Sequence, residues 1–161
     1  MSIWLPVVVS STGAAVVTLL GAVTGGAIAG RSQMRHWRRD KQIEACTAIV
    51  SESTRTQLAL RRQWRHKEKV DWNGWNQALA MISLVGTPNT IQSAYDMDAV
   101  FWESTSLMTK LHAAQEADWA EFVRQLESAR LRFINVARRE VVGLSHGLDS
   151  LPIARPPLDQ G

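Results

Sequence analysis

The spacing of apolar and polar positions changes abruptly after residue 30. No charged side chain occurs from Met1 through Gly30, whereas charges recur throughout the rest of the chain. The 24 residues from Pro6 to Ala29 are mostly Val, Ala, Leu, Gly, Ser and Thr. At a helical rise of about 1.5 Å per residue they reach about 36 Å, enough for a hydrocarbon core of about 30 Å. Residues 1–30 therefore predict a transmembrane anchor.

A cleaved signal peptide is the main alternative, because Ala27-Ile28-Ala29 imitates a small-x-small cleavage site. Two features argue against it. Residues 1–4 carry no basic side chain, and the apolar stretch is longer than the usual signal-peptide core of about 7–15 residues. The pattern favours a retained anchor, with a cleaved signal or a buried soluble helix as the alternatives.

A basic cluster follows the apolar run directly, opposed only by Asp40. Such a cluster is typical of the cytoplasmic side of a membrane helix and is attracted to anionic lipid. We therefore expect a single-pass protein of the cell membrane, with its N-terminus outside and its C-terminal domain in the cytoplasm. The predicted lipid contacts are Arg31, Arg35, Trp37, Arg38, Arg39 and Lys41.

Glycines recur at helical spacing within the predicted anchor. Gly21 and Gly25 form one small-x-x-x-small motif, and Gly26 and Gly30 form another. Small residues at this spacing let a second membrane helix approach closely. The four glycines are therefore candidate helix–helix contacts, although glycine is also common in membrane helices for other reasons.

From Arg31 onward the apolar residues recur every three or four positions, and no stretch alternates as a strand does. Turn formers divide this part at 70–76, at Gly86-Thr87-Pro88 and at Gly143. The fold class predicted is all-α: one N-terminal transmembrane helix continuing into a three-to-four-helix up-down bundle. The predicted domains are the anchor at 1–30, a cytoplasmic bundle at 31–143 and a flexible, Pro-containing tail at 144–161.

The periodicity also predicts which side chains face the core. In the first helix these are Met34, Trp37, Ile43, Cys46, Ile49, Val50, Leu60 and Trp64. In the helix after Pro88 they are Ile91, Ala94, Tyr95, Asp98, Phe101, Trp102, Leu107 and Leu111. The polar run at 51–57, SESTRTQ, predicts a kink or local fraying of the first helix. Asp118 and Glu121 resemble a capping box at the start of the last helix.

Composition narrows the possible chemistry. The 161 residues carry a net charge of only +3, and Cys46 is the only cysteine. An intramolecular disulfide and a thiolate metal cage are therefore excluded. A lone thiol suits a reducing compartment, and its place on the apolar stripe predicts a small buried side chain rather than a reactive one.

Candidate catalytic or metal-binding residues are few. His112 and Glu116 share a helical face but make only half a metal site. Asp96 and Asp98 lie two apart, so on a helix their carboxylates diverge by about 200°. The sequence contains no phosphate-binding loop and no nucleophile elbow. We therefore predict no enzymatic activity and no cofactor, and keep a small metal protein as a remote alternative.

A second basic cluster lies farther along the first helix, consisting of Arg61, Arg62, Arg65, Lys67 and Lys69. If the helix is straight, it lies about 45 Å from the membrane, well beyond a Debye length of about 8 Å. These charges either pair with the acidic later helices or form a nucleic-acid surface, which no base-stacking motif accompanies. Trp72 and Trp75 flank the following turn: core packing is the default for tryptophan, and an exposed aromatic patch is the alternative that the polar turn favours. The possible partner surface comprises Arg61, Arg62, Arg65, Trp72 and Trp75.

Three short segments resemble uncharacterised single-pass membrane proteins of actinobacteria. The first is Arg39-Asp40-Lys41 with Ile43-Glu44-Ala45, and the second is 82–88, ISLVGTP, like that family's Leu-Gly-x-Pro helix junction. The third is 133–140, FINVARRE, like its closing Phe-x-x-x-Ala-Arg-x-Glu segment. Cys46 departs from the tyrosine expected there. The resemblance implies an anchored helical bundle and no reaction or cofactor.

Together these features favour a non-enzymatic interaction or scaffold module at the cytoplasmic face of the membrane. Its expected partners are membrane lipid and either another protein or further copies of itself. Binding of nucleic acid through the cluster at 61–69 is the alternative function.

Overall fold

The computed structural model describes the backbone of residues 7–110 and 116–151 and the side chains of 33–106 and 116–151. Four α-helices follow one another: α1 (Val7–His66), α2 (Asn73–Val85), α3 (Pro88–Lys110) and α4 (Glu116–Ala137). A short π-helix, Arg138–Val142, continues α4. Every regular element in these ranges is helical, so the predicted all-α class is confirmed.

The predicted anchor is not tested by these residues. Within the described part of the chain, no helix is both long enough and apolar enough to cross a membrane. Gly21, Gly25, Gly26, Gly30 and Arg31 lie outside the residues whose side chains are described. The chain divides into two units, Met1–Asp40 and Lys41–Gly161, and the second contains the bundle.

Side-chain pairs show that consecutive helices of the second unit run antiparallel. Between α1 and α2, Gln42 Nε2 donates to the Val85 carbonyl over 2.8 Å, and Glu52 lies against Gly74. Along this interface the contacting residues have rising numbers in α1 and falling numbers in α2, so the two helices are antiparallel. Trp75 and Ser83 of α2 meet Asp98 and Tyr95 of α3 in the same reversed order.

The α4 helix returns beside both α3 and α1. Phe101 packs on Phe122 near the start of α4, whereas Thr87, just before α3, bonds Glu140 just after α4. In α1, Trp64 stacks on Trp119. The Lys41–Gly161 unit is therefore an up-and-down bundle of the kind predicted.

The helix ends follow local chemistry. Lys67 takes a positive φ of 59°, and its N–H bonds the Gln63 carbonyl over 2.9 Å, closing α1. Asp71 Oδ1 then accepts from the Asn73 N–H over 2.9 Å, which supports the first turn of α2. The break predicted at 70–76 is found at 67–72, and residues 73–76 instead form the first turn of α2.

The α2–α3 junction is built by the three residues predicted for it. Gly86 approaches its own helix so closely that a Cβ there would lie 2.5 Å from the Ile82 carbonyl oxygen. Thr87 Oγ1 accepts from the Thr90 N–H over 3.2 Å as an N-cap. Pro88 occupies the first helical position, where its missing N–H costs nothing.

The end of the last helix differs from the prediction in detail. Gly143 stops it as expected, with a left-handed φ of 82° and the following Leu144 N–H bonded to the Arg138 carbonyl over 2.9 Å. The capping-box prediction is wrong, because α4 already begins at Glu116 and Asp118 lies inside its first turn.

The core joins all four helices through aromatic and aliphatic side chains. Phe101 lies at its centre: Trp75 meets it edge-on with ring centroids 5.0 Å apart, and Trp72 does so at 6.2 Å. The largest fully buried apolar side chains are Trp75, Phe101, Phe133, Ile49, Leu60, Ile82, Met97 and Leu126.

Five side chains predicted to face the core are exposed instead: Met34, Trp37, Ile43, Tyr95 and Trp102. Residues 33–40 are exposed throughout. Periodicity identifies the apolar face of a helix. It does not show how far along the helix its neighbours extend to cover that face. On α3 the apolar residues also spread over more of the circumference than the neighbours cover, as described below.

The first residues of the predicted loose tail are held in place. Asn135 Nδ2 donates to the Leu148 carbonyl over 2.9 Å, and the Leu148 N–H donates to Asn135 Oδ1 over 2.7 Å. This reciprocal amide pair ties the segment after Gly143 to α4. The prediction of a flexible tail is therefore wrong at Leu148, and residues 152–161 lie outside the described part.

Candidate protein-interaction surface

The outward side of α3 carries large aromatic side chains. Its buried side is fixed by Ala94, Met97 and Phe101, each 0 % exposed. At about 100° per residue, positions 95 and 102 fall within about 20° of each other and more than 100° around the helix from the buried side. Tyr95 is 47 % exposed, with its hydroxyl 3.3 Å from Ser83 Oγ of α2, and Trp102 is 77 % exposed. The helix therefore carries large apolar side chains in two directions, and only those directed to the core are fully buried.

Ala99 lies between these two aromatic residues along the same line and is also exposed. A small residue there lowers the surface between two tall side chains, which leaves room for a side chain of a partner. We call Tyr95, Ala99 and Trp102 the α3 aromatic stripe.

Acidic side chains border the stripe. Asp96 and Glu103 lie along one edge and are exposed, with Asp96 accepting from Gln92 Nε2 over 2.9 Å. On the other edge, Asp98 Oδ1 accepts from the Trp75 indole over 2.6 Å. From Asn73 to Lys110 the chain has these three acids and only Lys110 as a basic residue. The surface around the stripe is therefore acidic in an otherwise basic protein.

Trp72 and Trp75, predicted as an exposed patch, are turned inward. Trp75 is 1 % exposed, and Trp72 is partly buried with its ring against Phe101. The prediction of an exposed patch is wrong for Trp75, because the turn before α2 folds both rings onto α3. A tryptophan on one helix and an acid on the next are a signal for such an indole hydrogen bond. The combination is too common in sequences to predict it.

Two of the basic residues at 61–69 lie near acids. Arg62 Nε lies 3.8 Å from Glu68 and Arg65 Nη2 lies 3.8 Å from Glu116, while the Arg65 guanidinium sits 5.9 Å from the Trp64 ring centre. The predicted pairing with the later helices is thus found at Arg65. These pairs are exposed and contribute little stability, but they reduce the field that a nucleic-acid backbone would meet.

A cleft of about 180 Å³ lies beside this cluster. It is lined by Glu52, Arg55, Ala59, Arg62, Glu68, Lys69, Asp71 and Gly74. Three acids face three bases, so the cleft has no net preference for an anion or a cation. Glu52 and Arg55 pair with each other at 3.1 Å.

The first basic cluster, at 31–41, is accessible where the structure describes it. Arg35, Trp37, Arg38 and Arg39 are all exposed, and Trp37 shows 53 % of its surface. Lys41 Nζ pairs with Glu44 at 2.7 Å. A basic, tryptophan-containing surface of this kind suits the headgroup layer of a bilayer.

The remaining candidate residues are dispersed. His112 lies outside the described residues, and its predicted companion Glu116 pairs with Arg65. Among the residues that the structure does describe, no three potential metal ligands are grouped. Asp96 and Asp98 bond different partners on different sides of α3, as their spacing predicted.

Cys46 is the buried thiol that the apolar stripe predicted. It is 9 % exposed, and burial raises its pKa from 9.0 to about 11. The thiolate, which is the reactive form, is therefore disfavoured at neutral pH.

Two polar contacts between helices were not anticipated from the sequence. Arg130, 8 % exposed, reaches from α4 to Ser53 and Gln57 of α1. Glu140 accepts from Thr87 Oγ1 through one oxygen and from Asn89 Nδ2 through the other. The polar run at 51–57 gave a signal for the first contact, but it was interpreted as a kink, whereas α1 stays helical there.

No protein-family model, curated protein or solved structure matches the chain.

Proposed function

We propose that the protein is a membrane-anchored, non-enzymatic interaction module whose α3 aromatic stripe binds a helix of another protein or of a second copy. The observation that carries the proposal is the exposure of Trp102, 77 %, on a helix whose core side is already filled by Ala94, Met97 and Phe101. Tryptophan and tyrosine are the residues that most often dominate the binding energy of protein interfaces.

The shape and charge of the stripe support a helical partner. Tyr95, Ala99 and Trp102 run parallel to the α3 axis and present an apolar line with a shallow centre. A helix laid along it would insert apolar residues spaced three or four apart. Asp96 and Glu103 would pair with basic residues at its rim, which contributes more to partner choice and association rate than to affinity.

The anchor is the second component of the proposal. It is supported by the uncharged run to Gly30, by the basic residues from Arg31 to Lys41 and by the resemblance to anchored actinobacterial proteins. The same signals favour a cytoplasmic position for the bundle. Tethering a binding surface to a membrane raises its effective concentration for partners held there.

Site-specific photocrosslinking in cells tests the binding surface. A photoreactive amino acid is placed at position 102 of the full chain, and at position 58 as a control, since Leu58 is also a half-exposed apolar residue, at 48 %. We expect a discrete adduct from position 102 only, lost on Tyr95→Ser. An adduct of twice the mass of the chain would identify the partner as a second copy. Equal adducts from both positions, or none from 102, would refute the stripe as a binding surface.

Alkaline extraction and flotation test the anchor. The full chain should stay with membranes in carbonate and require detergent for release, whereas a chain lacking residues 1–30 should not. Release of the full chain by carbonate alone would show that it is not an integral membrane protein.

A further inference from the structure

We infer that the surface around the α3 aromatic stripe extends onto α2 and binds a basic amphipathic helix of another protein. The inference rests on the proposed function and deepens it, because it adds a second helix to the binding surface and gives the partner a charge. All of the residues concerned lie within the Lys41–Gly161 unit.

The outward side of α2 carries exposed apolar side chains. The buried residues of this helix are Trp75, Ala78, Leu79 and Ile82. At about 100° per residue, positions 80 and 84 lie on the side away from these four, and they are neighbours because they are four apart. Ala80 and Leu84 are both exposed. Leu84 shows 85 % of its surface, more than Trp102.

Tyr95 joins this side of α2 to the stripe. Its hydroxyl lies 3.3 Å from Ser83 Oγ, so the side chain reaches from α3 to the residue that precedes Leu84. Because α2 and α3 are antiparallel, Leu84 lies toward the start of α3 from this contact, whereas Trp102 lies toward its end. The exposed apolar side chains of the two helices thus form one surface. We call it the α2–α3 platform, and its residues are Ala80, Leu84, Tyr95, Ala99 and Trp102.

The length of the platform suits a helix. Tyr95 and Trp102 are seven residues apart, which is about 10 Å along α3, or two turns. With Leu84 beyond Tyr95, the platform is longer than two turns. A partner helix with apolar residues every three or four positions presents side chains at a matching spacing.

The charge around the platform determines which helix fits. Between Asn73 and Thr109 the only charged residues are Asp96, Asp98 and Glu103. Asp98 Oδ1 accepts from the Trp75 indole, whereas Asp96 and Glu103 are exposed beside the stripe. These two acids are also seven residues apart, so they present two negative charges about 10 Å apart along one edge. A helix with Lys or Arg at the same seven-residue spacing meets both.

The same charges disfavour a second copy placed stripe to stripe. A two-fold contact brings the same surface of both copies together. Asp96 and Glu103 of one copy would then face the same acids of the other, and α2 and α3 carry no basic residue before Lys110 to offset them. Like charges facing one another across an interface act against that pairing. The platform therefore selects a basic partner.

Binding of synthetic helical peptides tests the inference. The probe is a fluorescein-labelled peptide with leucine at every third or fourth position and lysine at most others, and its counterpart has glutamate in place of lysine. Each is titrated with the full chain in a non-ionic detergent, with empty micelles as the blank, and fluorescence anisotropy gives the Kd.

The variants separate the apolar and the charged parts of the platform. Trp102→Ser and Leu84→Ser remove apolar contacts on α3 and on α2, and Asp96→Asn with Glu103→Gln removes the charge. Leu58→Ser is the matched apolar control, since Leu58 is half-exposed on α1 at 48 %. Glu127→Gln is the matched charge control, since Glu127 is an exposed acid on α4. Circular dichroism in the same detergent confirms that every variant is helical.

We expect the lysine peptide to bind and the glutamate peptide not to bind. Trp102→Ser should weaken binding by about ten-fold or more, and Leu84→Ser by about three-fold or more. The double charge variant should weaken it by about three-fold or more and remove most of its salt dependence. Both controls should change the Kd by less than about two-fold.

Equal binding of the two peptides, or no effect of Leu84→Ser or of the double charge variant, would overturn the inference. If Trp102→Ser still weakened binding in that case, the stripe would remain a binding surface. Failure of the lysine peptide to bind would also overturn the inference. The photocrosslinked adduct from position 102 then decides separately whether the proposed function survives: an adduct of twice the mass of the chain would identify a second copy, and no adduct would refute both.

Discussion

Arg130 of α4 donates from Nε to Ser53 Oγ of α1 over 2.9 Å, in the interior of the bundle. Its Nη2 donates to Gln57 Oε1 over 3.1 Å. Burial lowers the pKa of Arg130 below its ordinary value, and the nearby Glu127 partly opposes this. An arginine taken out of water is retained stably only where acceptors receive its N–H groups, and the polar run at 51–57 supplies them. The segment predicted to disturb α1 is thus the segment that pairs it with α4.

Replacing Arg130 by alanine should lower the free energy of unfolding by about 2 kcal/mol, because it leaves a cavity and removes the hydrogen bonds to Ser53 Oγ and Gln57 Oε1. Arg130→Met, which retains most of the volume, should cost less. Chemical denaturation followed by circular dichroism in detergent measures both. Arg132, exposed and two positions later, is the control: Arg132→Ala should change the unfolding free energy by less than about 0.5 kcal/mol. Equal effects at 130 and 132 would contradict the buried contact.

Phe101 and Trp102 are adjacent in the sequence, but Phe101 lies in the core and Trp102 on the surface. Phe101 is 0 % exposed and Trp102 is 77 % exposed. Phe101→Ala should therefore cost about 3–5 kcal/mol of stability, whereas Trp102→Ala should cost less than about 0.5 kcal/mol. The same denaturation measurement compares them. A large loss of stability for Trp102→Ala would place that side chain in the core and remove it from the proposed binding surface.

Stability should depend on pH through Glu140. Hydrogen bonds from Thr87 and from Asn89 hold the pKa of its carboxyl below the ordinary value, with Arg139 adding to the effect and desolvation opposing it. A lowered native pKa stabilises the fold above the unfolded pKa, about 4.3, and this contribution is lost as the pH falls through the native value.

Glu140→Gln tests this dependence. Wild type should be more stable than the variant at pH 7, and the difference should shrink as the pH falls below the unfolded pKa of about 4.3 and through the lower native pKa. Unfolding midpoints across this range measure it, and Glu121→Gln provides a comparison on α4 away from the α2–α3 junction. A constant difference between wild type and Glu140→Gln at all pH values would show that the ionised carboxylate is not what Thr87 and Asn89 recognise.

Cys46 should resist thiol reagents in the native protein. Its pKa is raised to about 11 by burial, so reaction at pH 8 requires the bundle to open. Addition of a disulfide-exchange reagent should give slow modification that becomes fast in denaturant. Leu84→Cys in a Cys46→Ala chain is the exposed control and should react at once. Rapid labelling of native Cys46 would contradict its burial.

The sequence predicted the helices well because their limits depend on local chemistry. Gly86, Thr87 and Pro88 each act within a few residues of themselves, and so does Gly143. Burial in α4 also follows a local pattern, since Phe122, Leu126, Ala129 and Phe133 recur at helical spacing and each is buried.

The proposed binding surface depends on contacts between helices, which periodicity does not show. Tyr95 and Trp102 are apolar at helical spacing, so they were assigned to the core. Whether such a line is covered depends on how much of the helix circumference the neighbouring helices occupy. For Trp75 the error is the reverse, exposure predicted where the side chain is buried. The polar turn beside it predicts exposure, yet its indole N–H donates to Asp98 on α3. Contacts between residues distant in the sequence determine both the exposure of Tyr95 and Trp102 and the burial of Trp75.

The orientation of the Glu140 side chain depends on the number of residues in the π-helix, Arg138–Val142. A π turn holds one residue more than the α turn it replaces. A chain with one residue deleted there would still form a helix, but every later side chain would be rotated by about 100° about the axis. The single extra residue sets the orientation at which Glu140 meets the α2–α3 junction, so this short stretch should tolerate substitutions far better than insertions or deletions.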